Sequence, residues 1–119
     1  RMKTIRLELA RNADTLTATR ENNELHIKLA ADARIDVAGT DPQLMTFARF
    51  LPGQDIVHGQ LVKTESGSWA FSYEAGEDDD GQIVGLENHE LVVGNYLTVL
   101  QDGRHEHVYR VTSVAERPV

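Results

Sequence analysis

Apolar and polar residues alternate along most of this chain with period two, the spacing of a strand that buries one face. Among residues 3–9, Ile5, Leu7 and Leu9 share one parity, and Arg6 and Glu8 take the other. Residues 24–29 repeat the pattern, with Leu25, Ile27 and Leu29 set against His26 and Lys28. The polar stretch between them ends in Glu21-Asn22-Asn23, which predicts a turn. A shorter run over 34–37 brings Ile35 and Val37 to one side. Further on, 57–63 and 69–74 read as the arms of a hairpin about Glu65-Ser66-Gly67-Ser68, with Trp69, Phe71 and Tyr73 on one face. Residues 95–101 and 105–114 flank Asp102-Gly103, a pair suited to a tight hairpin because both central turn positions take positive φ.

Thr40-Asp41-Pro42 admits two readings. Asp41 can cap a helix that begins at Pro42 and carries Leu44, Phe47, Ala48 and Leu51 at helical spacing. The same residues also fit a turn followed by a strand over 45–50, which Thr46, Phe47 and Phe50 favour. Gly94 permits a sharp bend before Leu97 and Val99 turn inward. The pattern as a whole predicts one all-β domain over 1–119: a small, partly open, barrel-like fold of about seven or eight short strands. At most one short helix is expected, near 41–44.

Composition narrows the chemistry. The chain has 119 residues and no cysteine, which excludes thiolate nucleophiles, thiolate metal sites and disulfides. No apolar run is long enough for a signal peptide or a membrane-spanning helix. Arg1 before Met2 reads as an addition to a natural start at Met2, and a cytoplasmic protein with no membrane partner is expected. The net charge of −7 is unevenly spread, because residues 64–103 hold nine acids and neither Lys nor Arg. Such a block repels phosphate backbones, so nucleic acid is not an expected partner.

The densest acids, Glu77, Asp78, Asp79 and Asp80, form a candidate interaction segment in an acidic loop over 75–85. Aligned to an EF-hand, Asp78, Asp80 and Glu87 fall at ligand positions, with Gly81 at the turn glycine. Gly76 stands where the first Asp is required, and the preceding residues read as a strand where a helix is needed. No cofactor is expected beyond a weakly held divalent cation. His105 and His107, two apart on a strand, share a face, and with His89 they form a candidate transition-metal set. Glu87, Glu90 and Asp55 supply acids for general acid–base work, but no spacing selects them. The aromatic ladder from Trp69 to Tyr73 fits a core face better than a base-stacking platform. Signatures of nucleophile elbows, phosphate loops, dinucleotide sites and zinc proteases are absent.

Residues 3–12, His58-Gly59-Gln60-Leu61-Val62 and 67–73 precede the acidic stretch, and 89–99 and 109–114 follow it. In that order they resemble a family of small uncharacterised bacterial proteins, commonest in proteobacteria. The resemblance covers most of the chain except roughly 13–55. It implies no activity and supplies no site residues, only that the acidic insert and the last hairpin belong to one fold. Two functional expectations follow: a non-enzymatic binding or protein-interaction module, self-association included, or a small metal-dependent protein with a His/carboxylate site.

Overall fold

The computed structural model describes residues 2–12, 22–50, 53, 55–73, 78–101 and 105–116, with side chains described at all of these except 11, 12, 42, 73, 78–81, 101 and 105. Eight antiparallel strands follow one another round a closed barrel. They are β1 (Met2–Asn12), β2 (Asn22–Lys28), β3 (Thr46–Phe50), β4 (Val57–Lys63), β5 (Ser68–Tyr73), β6 (Asp78–Val84), β7 (Tyr96–Gln101) and β8 (His105–Glu116). Each pairs with its neighbours in sequence, and β1 pairs with β8 to complete the ring. The all-β, barrel-like expectation is met, except that pairing of β1 with β8 closes a ring expected to be partly open.

The alternation explains the interior. Ile5, Leu7, Leu25, Ile27, Phe47, Leu61, Phe71, Ile83, Leu97, Val99, Tyr109 and Val111 are all buried in one cluster. Small barrels of eight strands are just wide enough for side chains to fill, and this cluster lies inside the ring. Phe47 and Phe71 meet edge to face at 4.8 Å between ring centroids. The outer face carries Arg6, Glu24, Lys28, Gln60 and Arg110 at the opposite parity.

One end of the barrel is plugged. Beyond β2 the chain crosses this end through residues 29–36, and beyond β6 it returns through a 3₁₀ turn, Leu86–Asn88. The Leu91 N–H donates to the Ala33 carbonyl at 2.9 Å, tying the two crossings together. Ile35, Met45, Leu86 and Leu91 are buried beneath them. Gly94, at φ 99°, makes the bend into β7.

Several expectations change. Residues 34–37 form no strand: Ile35 makes an isolated bridge to Leu29 and serves as a plug, while Val37 stays partly exposed. Asn22 and Asn23 open β2 and form no turn, because the inward-facing Asn23 carboxamide accepts from Arg49 Nε at 3.3 Å. The acidic stretch is no simple loop, since Asp78–Val84 is strand β6, anchored where Ile83 pairs with Trp69 and Val99. At 41–44 the strand reading prevails. Asp41 caps a single 3₁₀ turn, Pro42–Leu44, its carboxylate accepting from the Gln43 N–H at 3.0 Å, and β3 follows. The Asp102-Gly103 turn lies outside the described residues.

Candidate functional site

At the plugged end, β4 runs further than its neighbour β3. The last registered pair there is Thr46 with Gln60, and the Leu61 N–H still reaches the Met45 carbonyl at 2.9 Å. Val62 and Lys63 then continue alongside β5 alone, opposite Ala70 and Trp69. The 3₁₀ turn has meanwhile carried the chain away from the ring, held by Gln60 Nε2 donating to the Gln43 carbonyl at 3.2 Å. The mismatch in length leaves a lateral notch of about 410 Å³ in the barrel wall.

Its floor is Met45, Leu61 and Trp69, each at most 2 % exposed, and Val37 and Val62 stand at its rim. The lining is thus largely apolar, with Lys63 its one charged side chain. Lys63 keeps the inward parity of Val57, Gly59 and Leu61, so at the strand end its ammonium folds over the mouth. Nζ lies 6.0 Å from the Trp69 ring centroid and 3.9 Å from Glu87 Oε1. Glu87 arrives from the far side of the ring. Gly85, at φ 65°, takes a left-handed conformation that favours glycine and turns the chain back after β6. This places Glu87 Oε2 2.6 Å from Trp69 Nε1, which donates to it.

That bond comes first among the causes that hold the Glu87 carboxyl below the usual carboxylate range, followed by its own backbone N–H and, more weakly, Lys63. A carboxyl whose pKa is depressed by folding adds stability above its unfolded value and loses it as pH falls through the folded one. Wild-type protein should therefore lose stability below pH about 4.3 more steeply than Glu87→Gln, which keeps an acceptor for Trp69 without the titration. Urea midpoints between neutral and strongly acidic pH check this, and parallel curves for the two proteins would count against it. The chain has one tryptophan, so its emission follows the same loss locally.

The candidate metal ligands are not gathered. His89 follows the 3₁₀ turn at the plugged end, whereas His105 and His107 open β8 at the other, about 20 Å of strand away across β7. His107 points inward beside the Val99 position, half-buried, with Nδ1 shielded and lacking a partner among the described residues. Asp78 and Asp80 begin β6, and Glu87 lies beyond its far end, so the EF-hand-like alignment is drawn out along a strand of seven residues. The side chains of Asp78, Asp79, Asp80 and His105, and the whole of Glu77, lie outside the described residues. Glu90 is engaged at the surface by Arg34 at 3.5 Å, and the described residues hold no group of three His or carboxylate side chains suited to a metal ion. Asp55 is exposed at the barrel's other end.

Alternation along the sequence places Trp69 in the core and passes over the notch. Its one sequence signal is Lys63, a charge at inward parity at the end of an otherwise apolar-facing strand. Comparison with protein-family models, with curated proteins and with solved structures returns no match to this chain.

Proposed function

We propose that this protein is a non-enzymatic binding module that takes a small, mainly apolar molecule in the notch beside Trp69. The observation that carries the reading is the notch itself. Ligand sites are concave, mostly apolar and furnished with few polar groups, and volumes of about 300–1,000 Å³ are usual for them. The notch has that size and character and opens onto the barrel's buried cluster at Met45, Leu61 and Trp69. Ring closure favours this reading over strand addition, since every strand is paired on both sides and no full-length edge is left for a partner. The mainly polar outer face, on which Val62, Val84 and Tyr96 are exposed exceptions, also supports a barrel that works in water, since a lipid-embedded barrel carries an apolar outer band.

Trp69 is the only tryptophan, so its emission reports occupancy without labelling. Titration with 1-hexanol is expected to shift that emission saturably with a Kd in the millimolar range, about −4 kcal/mol for so small a ligand. Val37→Phe, which places a ring over the rim, should weaken binding by about fivefold or more by filling the space. Emission that stays unmoved up to the solubility of the alcohol would mean that the notch does not take a neutral apolar molecule.

A further inference from the structure

The notch already holds a cation of the protein's own. Lys63 Nζ sits over the Trp69 ring and within 3.9 Å of the Glu87 carboxylate, the two groups that an ammonium ligand seeks. We propose that the ligand is a small organic cation with an apolar body, an alkylated ammonium, whose charge replaces that of Lys63 between Trp69 and Glu87. The proposal rests on the reading of the notch as a binding site and names the chemistry it selects.

Three observations carry it. First, Lys63 is held loosely: its side chain is 48 % exposed and Glu87 is 30 % exposed. So exposed a pair contributes little to stability, and moving the lysine aside costs little. An ammonium of lysine is strongly hydrated, whereas an alkylated one sheds water more readily and brings apolar surface to Met45 and Leu61. Second, Glu87, which adjoins the notch through Trp69 and Lys63 and is not part of its lining, accepts from the Trp69 N–H at 2.6 Å, so a carboxylate oriented by the fold stands at the edge of the ring. Third, the field favours cations. The net charge is −7, and its excess falls in residues 64–103, which include Glu87. An anion entering the notch would meet the Glu87 carboxylate beside Lys63 and an unfavourable net charge.

Three probes with the same six-carbon tail isolate the head group: hexyltrimethylammonium, 1-hexanol and hexanoate. Each is titrated against wild type, Lys63→Gln and Glu87→Gln, with Trp69 emission as the readout. The ammonium should bind about fivefold or more tighter than the alcohol, with hexanoate weakest. Lys63→Gln should tighten the ammonium by about three- to tenfold and leave the alcohol within about twofold. Glu87→Gln should remove most of the preference for the ammonium. Alcohol bound as tightly as ammonium, hexanoate bound more tightly, or a Lys63→Gln protein that binds ammonium less well would each overturn the cationic ligand and leave the notch a binding site. If no probe perturbs Trp69 in either wild type or Lys63→Gln, the reading of the notch fails as well.

Discussion

Gly59→Ala is expected to destabilise the barrel by about 3 kcal/mol, the upper part of the range for overpacked cores. Gly59 faces inward in β4, opposite Phe47 in β3 and Tyr73 in β5. A Cβ built there would lie 2.6 Å from Phe47 Cε1 and 2.8 Å from Cζ, and would press harder still on the Ser72 backbone carbonyl. Neither neighbour yields easily. The carbonyl belongs to the adjoining strand, and the Phe47 ring is locked edge to face against Phe71. The glycine is what lets Phe47 and Phe71, from the two strands flanking β4, meet over this position. Denaturant unfolding should show a lower midpoint with an unchanged slope. In a Phe47→Leu background the added methyl should cost less but still cost, because the carbonyl remains. A Gly59→Ala protein as stable as wild type would mean that the strands separate freely at this point.

How much of this is legible in the sequence follows from which features are local. The strands around Ile5, Leu25, Leu61 and Phe71 are written in alternation over five or six residues, and the turn expected at Glu65-Ser66-Gly67-Ser68 falls one residue earlier, over Thr64–Gly67, with Ser68 opening β5. Thr64 Oγ1, 2.9 Å from Ser66 Oγ, closes that turn. Asn23 misleads because its polarity suggests a turn, while its partner, Arg49, lies twenty-six residues away. The acidic run misleads in the same way. Charge outweighs Ile83 in any short window, yet it is Ile83, paired between Trp69 and Val99, that makes the segment a strand.

The site is harder to read than the fold. Its essential contact, Trp69 to Glu87, depends on the β5–β6 register, on an irregularity between Ala70 and Ser72, and on the left-handed turn at Gly85. No local pattern encodes that combination. The notch depends in turn on where β3 begins relative to the end of β4, a difference of a few residues that alternation cannot fix.

The seam between β6 and β7 should give way first when its anchor is removed. Among the described residues these strands are in register at Gln82–Leu100 and Ile83–Val99, whereas β1 pairs with β2 from Met2 to Glu8 and with β8 from Lys3 to Asn12 across two register shifts. Ile83 is fully buried, as is Ile5, so truncating either to alanine should cost about 2–5 kcal/mol. The route of opening should differ. In Ile83→Ala, native-state hydrogen exchange should show the β6 and β7 amides released by a partial opening well below the free energy of global unfolding. In Ile5→Ala the protected amides should fall together, because long ladders on both sides keep β1 in the ring. Ile83 also stands opposite Trp69, so the same opening should loosen the Glu87–Trp69 bond and disturb Trp69 emission before global unfolding begins. Exchange in Ile83→Ala that is uniform across the barrel would show instead that the eight strands open as one unit, with the closing seam no weaker than the rest.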